Sequence, residues 1–264
     1  MNYLVVDIET VPDESVPFHP KPTLAGFASW PTDQDTRGAR IELAQPDPFR
    51  PPACHQVVCI GYALFDEYAP LLMKCVDVGV GINVDVEERL LARFHAWVND
   101  VRPTLVTWNG RGFDVPVLCT RALKYGIDAS YLMGDYRVNY RYSEHGHLDV
   151  MDKLTNHGAV QRNKLEMACR LIGLPGKPKI AGDDVDGTKV DALVKRGRMS
   201  DVRKYCLTDV LQEAIVWLRR DLSLGVLSLE TYRESVDKMR ELARDAELPA
   251  GFVDGIDWER VALR

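Results

Sequence analysis

No paired cysteine motif occurs in this chain. Its six cysteines, Cys54, Cys59, Cys75, Cys119, Cys169 and Cys206, stand far apart with no CxxC spacing, and a zinc site or a disulfide framework read from spacing needs tighter pairs than these. Most lie in apolar stretches such as VVCIG, VLCTR and EMACR, so they are expected to be buried free thiols in a reducing compartment. Long apolar runs are missing as well. The best, VVCIGYALF from Val57, falls short of the roughly 18 residues a membrane span needs. The N-terminus has no basic leader and carries Asp7 and Glu9 instead; a cytoplasmic protein with no membrane partner is expected. GRGFDV lacks the third glycine of a dinucleotide fingerprint, and no GK[ST] phosphate loop occurs, so neither nucleotide-binding signature is present.

What is there suffices for a folded core. The 264 residues are 46% hydrophobic and 27% charged, the make-up of one large globular domain or two small ones rather than of a disordered chain. With 33 Lys and Arg against 39 Asp and Glu the formal net charge is −6, which argues against tight, indiscriminate binding to duplex DNA. The charge is unevenly spread. From Arg102 to Lys204 there are 18 basic and 12 acidic residues, leaving 15 basic and 27 acidic elsewhere. A basic centre in an acidic chain is compatible with a site for a polyanion, although solvated helix faces give the same count.

The periodicities outline a mixed sheet. NYLVVDIE near the start reads as a buried strand, and HQVVCIGYALF and APLLMKCV read as an antiparallel pair. Before that pair, from Pro12 to Pro52, runs a Pro-punctuated stretch without a convincing period, expected to be a long loop or insertion. Leu90, Leu91, Phe94, Trp97, Val98 and Val101 recur at helical spacing within Val84 to Val101. TLVTW from Thr104 is a further strand, closed by the Asn109-Gly110 turn signal. A helix from Phe113 to Tyr125 follows, with Pro116 near its first turn and Gly126 past its end. HLDVMDKL from His147 reads as a strand leading into a helix, Asn163 to Ile172 as a short helix stopped by Gly173, and Lys177 to Gly187 as a polar loop. Ser200 is expected to cap a long helix through Cys206, Val210 and Leu218, and a last amphipathic segment covers Leu227 to Ala243. Strands first, then strand–helix alternation, give one α/β domain: a mixed sheet covered by helices.

The chemistry-bearing pattern is acidic. Asp7 and Glu9 lie two apart on a strand, so their side chains share a face. Asp114 stands at the start of a helix, where the positive end of the macrodipole favours a carboxylate. Tyr205 and Asp209 are four apart on the long helix, one turn above the other. Taken singly such pairs carry little: DxE also occurs at Asp85/Glu87, Asp245/Glu247 and Asp257/Glu259. Context separates the chosen set, because Asp7 and Glu9 close an apolar strand and Tyr205 and Asp209 interrupt an apolar helical stripe. If the fold gathers these acids, their mutual repulsion calls for cations, and oxygen-only ligands suit Mg²⁺ or Mn²⁺ rather than zinc. His145, His147 and Asp149 are weighed as a second metal site and set aside as a flexible loop.

VVDIET, then WNGRGFDVPVL, then YCLTDVLQ resemble, in that order, the three exonuclease motifs of the DEDD superfamily, whose fold is ribonuclease H-like. A Tyr four before the last Asp marks the DEDDy branch. Within it the chain resembles the stand-alone predicted 3′-5′ exonucleases related to the proofreading domain of family-B DNA polymerases, with KLEMACRLIGLPGKP as a supporting stretch.

The resemblance implies an α/β fold with a ribonuclease H-like mixed β-sheet flanked by α-helices. Residues 1–222 would form the exonuclease domain, with 12–52 as its long loop or insertion, and 223–264 a C-terminal helical extension packed on the same domain. It implies two Mg²⁺ or Mn²⁺ ions held by Asp7, Glu9, Asp114 and Asp209: Asp7 bridging, Glu9 and Asp209 direct, Asp114 through water. Tyr205 would orient the attacking water, since a phenol with a pKa near 10 is a poor base at neutral pH. Thr10, Asn109 and Phe113 fall where the family contacts the terminal nucleotides, and an aromatic stacks on any base. Lys164, Arg111 and the KRGR run from Lys195 are weighed as phosphate contacts, and Asp149 as structural support. The expected activity is metal-dependent 3′-5′ exonucleolysis at 3′ ends of single-stranded nucleic acid, DNA favoured. A separate polymerase or repair protein is the expected partner. The alternatives are an exoribonuclease with the same chemistry and a non-catalytic nucleic-acid-binding accessory module.

Overall fold

The structure, a computed structural model, describes residues 2–18, 23–24, 43–44, 50–79, 84–180, 183–184 and 189–264. In chain order its elements are β1 (Asn2–Pro12), β2 (Thr23–Leu24), β3 (Leu43–Ala44), β4 (His55–Asp66), β5 (Ala69–Asp77), α1 (Val84–Val101), β6 (Thr104–Thr107), α2 (Asp114–Tyr125), α3 (Ser130–Gly134), α4 (Tyr136–Asn139), β7 (His147–Asp149), α5 (Val150–Leu154), α6 (Leu165–Ile172), β8 (Lys179–Ile180), β9 (Asp183–Asp184), α7 (Val190–Lys195), α8 (Met199–Ser223), α9 (Leu229–Asp245) and α10 (Trp258–Val261). Most of the expected 12–52 loop, and part of the expected polar loop from Lys177 to Gly187, lie outside the described residues.

The main sheet has the order β5-β4-β1-β6-β7. β4 is antiparallel to both its neighbours, whereas β6 is parallel to β1 and to β7, so β4 alone runs against the rest. This is the mixed β-sheet that the strand pattern predicts. β1 and β4 sit at its centre and are buried through Leu4, Val5, Val6, Val57, Val58, Cys59 and Ile60. Such nearly continuous apolar runs are what strands covered on both faces require.

Helices close both faces. One core joins α1, α2 and α3 to the sheet through Leu91, Val98, Val117, Leu118 and Leu132. Another gathers Leu211, Ile215 and Trp217 of α8 with Tyr232, Val236, Met239 and, near the C-terminus, Trp258 and Val261. The stretch after α8 therefore shares the core of the sheet. Among the described residues no helix is long and apolar enough to cross a membrane.

Several boundaries follow from local chemistry. α2 ends where Gly126 takes the left-handed conformation (φ 65°), its N–H bonded to the Ala122 and Leu123 carbonyls. α6 stops at Gly173 in the same way. The cap expected at Ser200 is not found. α8 begins one residue earlier, at Met199, with Arg198 before it and no side-chain cap. Asp201 in its first turn instead accepts from Arg198 Nε at 2.5 Å, an acid placed at the positive end of the helix. Ser228, not anticipated, is a true cap: its hydroxyl accepts from the Thr231 N–H at 3.1 Å at the start of α9.

Candidate active site

Three elements carry the acids to one place. β1 projects Asp7 and Glu9 from the face that α8 crosses, and the Cys206 thiol of α8 donates to the Asp7 carbonyl oxygen at 3.6 Å. One ligand atom each of Asp7, Glu9 and Cys206 lies within 4.8 Å of the others. β6 stops at Thr107, having paired with β1 only as far as Val5. Beyond it, Asp114 at the head of α2 takes up the open backbone donor, its Oδ1 accepting from the Ile8 N–H at 3.2 Å. On α8 the Tyr205 hydroxyl donates to Asp209, one turn on.

Burial without cations is costly for such a set. Glu9 and Asp114 are buried, and the sealed Oδ2 of Asp7 has no hydrogen-bond partner. Burial, followed by the charges of Asp114 and Asp209, lifts Asp7 well above the ordinary carboxylate range. Burial and then Asp7 and Asp209 do the same to Glu9. Asp114 and Asp209 are each pushed up to about 7, chiefly by burial. The Tyr205 phenol moves further from titration at neutral pH, raised by burial and by the neighbouring Asp209, Glu9 and Asp7.

A fifth acid joins them unannounced. Glu213 is 4% exposed, its Oε2 has no partner, and burial followed by Asp7, Asp114, Asp209 and Asp149 raises it well above the usual range. The signal was available in the sequence: Glu213 follows Asp209 by four and shares its helix face.

The loop between β6 and α2 is organised by Asp149 at the end of β7. Its carboxylate accepts from the Asn109 and Arg111 N–H groups, and from that of Asp152, all at 3.0 Å. Asn109 adopts φ 66° there, as the Asn-Gly signal requires. Gly110 admits no side chain, because a Cβ would stand 2.4 Å from the Thr107 Oγ1. Arg111 does not reach toward a ligand: it donates to the Val138 oxygen at 3.0 Å and the His147 oxygen at 2.7 Å. His147 is buried, bonded to the Thr107 hydroxyl at 2.9 Å and drawn down to about 3 by burial, whereas His145 is exposed.

Beside the acids opens a cleft of about 370 Å³ lined by Tyr205, Asp209, Asn109, Trp108, Lys164 and Lys177, among others. Asn109 and Lys164, both weighed from the sequence, line this cleft together with Trp108, Arg162 and Lys177, which were not anticipated. Thr10 and Phe113 meet elsewhere, at His55. The Thr10 hydroxyl bonds His55 Nδ1 at 2.9 Å, and the Phe113 ring lies edge-on to the imidazole at 4.9 Å.

An α/β sheet with buried acids beside a basic-rimmed cleft has the build of a polyanion-processing enzyme. Residues 47–253 match the family described as predicted 3′-5′ exonuclease related to the exonuclease domain of PolB, and the chain belongs to that family of hydrolytic nucleases. The match includes Asp114, Tyr205 and Asp209 and begins beyond Asp7 and Glu9. No curated protein matches the chain. Among solved structures it is similar to E. coli exonuclease I in a zinc-bound complex with single-stranded DNA, at 12% identity over 86% of this chain and 45% of that one, with a TM-score of 0.37. It is similar also to E. coli exonuclease I with a dA16 oligonucleotide, at 12% identity over 87% and 46%, with a TM-score of 0.33. The chain spans less than half the length of these structures.

Proposed function

We propose that the protein removes nucleotides one at a time from the 3′ end of single-stranded nucleic acid, DNA favoured, by two-metal-ion hydrolysis. The observation that carries this is the meeting of Asp7 and Glu9 with Asp114 and Asp209 in a buried group with an unpartnered oxygen on Asp7. That all-oxygen donor set fits Mg²⁺ or Mn²⁺, with Asp7, Glu9, Asp114 and Asp209 as the holders. A pair of bound ions would supply a water of lowered pKa and neutralise charge on the leaving 3′-oxygen.

The protein's own residues do the rest. Tyr205, bonded to Asp209, orients the attacking water and keeps its proton. Asn109 on the cleft wall binds the terminal nucleotide, and Trp108 offers a face for a base. Lys164 and Lys177 draw the phosphodiester chain toward Asp209. Thr10 and Phe113, which meet at His55 rather than in the cleft, are assigned to the terminal nucleotide from the motif resemblance.

The test is degradation of 5′-labelled single-stranded DNA and RNA with Mg²⁺, Mn²⁺ or chelator. Stepwise shortening from the 3′ end that needs the metal is expected, and it should vanish in a folded Asp7→Ala protein. Full hydrolysis by Asp7→Ala ends the assignment. Faster loss of RNA makes the enzyme an exoribonuclease with the same chemistry, and binding without cleavage makes the protein an accessory module.

A further inference from the structure

The cysteines that the sequence scatters are gathered by the sheet. In the β1–β4 register Asp7 stands opposite Gly61 and Glu9 opposite Cys59. In the β4–β5 register Gly61 stands opposite Cys75, and Cys59 opposite Asp77. Cross-strand partners share a face, so two rows run across the sheet under α8: Asp7, Gly61, Cys75 and Glu9, Cys59, Asp77. Cys59 and Cys75 are diagonal neighbours. Gly61 leaves a gap in the first row, and Cys206 of α8 drops into it: a Cβ on Gly61 would lie 2.6 Å from the Cys206 sulfur. The three sulfurs of Cys59, Cys75 and Cys206 lie within 4.8 Å of one another.

We propose that Cys59, Cys75 and Cys206 form a binding site for a thiophilic d¹⁰ cation, Zn²⁺ or its softer analogue Cd²⁺, separate from the carboxylate site and sharing the Cys206 wall with it. Thiolates on one zinc at about 2.3 Å each stand roughly 3.8 Å apart at tetrahedral angles, so the sulfurs close on an ion by moving at most about 1 Å. Three soft donors select such a cation over Mg²⁺, and the fourth position goes to water. Entry is past Cys75, the half-buried member of the set; Cys59 and Cys206 are buried. The Arg203 guanidinium, bonded to Asp77 at 2.7 Å, borders that approach on the second row. A loaded site ties α8 to β4 and β5 next to Asp7 and Glu9.

The experiment uses the whole reduced protein, stripped of metal and titrated with Cd²⁺ under excess Mg²⁺. Carboxylates give no sulfur-to-cadmium charge-transfer absorption, so the ultraviolet band reads the thiols alone and is independent of any nuclease activity. The band should rise to an end point at one equivalent and come up less when Zn²⁺ is present in large excess. Cys75→Ser should weaken Cd²⁺ binding by more than about tenfold, while Cys119→Ser, at a half-buried thiol outside the cluster, leaves it unchanged. A second measurement needs no variant: one equivalent of Zn²⁺ should slow alkylation of Cys75, followed by mass spectrometry, and not that of Cys119. No band near one equivalent, an unchanged titration in Cys75→Ser, or equal alkylation of Cys75 with and without Zn²⁺ overturns the proposal.

Discussion

At the scale of single residues, Tyr205 separates two roles a phenol can take in hydrolysis. Its hydroxyl donates to Asp209, and burial, reinforced by the charges of Asp209, Glu9 and Asp7, holds its proton well beyond the ordinary tyrosine value. A group so far from titration at neutral pH cannot act as the general base; it can fix the direction of a water. Tyr205→Phe is therefore expected to lower kcat by roughly a hundredfold and leave KM for an oligonucleotide nearly unchanged. The pH–rate profile should keep its shape, because no titrating group is lost. Loss of a limb of that profile in Tyr205→Phe would mean that the tyrosine does exchange its proton in the reaction.

At the scale of elements, the acid pairs show why a motif needs its surroundings. Asp85/Glu87 is a DxE like Asp7/Glu9, yet Glu87 is a buried structural acid. It accepts from Arg121 Nε at 2.8 Å and Nη2 at 2.5 Å and from the Val57 N–H at 2.8 Å. Arg121 reaches on to Asp13 at 2.6 Å, so one guanidinium joins α2, α1 and the segment after β1. Removing one partner from a buried ion group leaves the others unpaired. Arg121→Met is accordingly expected to cost about 3–5 kcal/mol in urea unfolding, whereas Lys124→Ala, which removes only the half-exposed partner of Asp13, costs about 1 kcal/mol or less. Equal losses in the two would show that Arg121 acts by packing alone. The same contrast says what could be read in advance. The strands, α2 with its Gly126 stop and the YxxxD spacing are local patterns and were legible. So was Glu213, by its distance of four from Asp209. The meeting of Cys59, Cys75 and Cys206 was not, since it depends on two strand registers and on the missing side chain of Gly61. Nor was the docking of Thr10 and Phe113 on His55, which joins three elements distant in sequence.

At the scale of the molecule, the acid group makes stability and metal binding one problem. Asp114 and Asp209 are lifted from 3.8 to about 7, mainly by burial, and Asp7, Glu9 and Glu213 are raised well above their ordinary values. A raised acid binds its proton more tightly folded than unfolded. Its contribution is complete below about pH 4 and is lost as pH rises through about 7. The buried His147, drawn down to about 3, works in the opposite sense over the acidic range, but above about pH 6.5 histidine is neutral in both states. The Cys75 thiol, drawn to about 5 by hydrogen bonds from Cys206 and Cys59, also opposes the acids. The gain from added metal isolates the carboxylates from both. Mg²⁺ competes with protons for the same oxygens, so it should raise Tm little near pH 5 and by about 5 °C near pH 8, with the ion at a hundred times its Kd. Asp7→Ala, which removes one member of the group, should flatten that dependence. A gain from Mg²⁺ that is the same at both pH values, or that survives intact in Asp7→Ala, would place the ion somewhere other than among these acids.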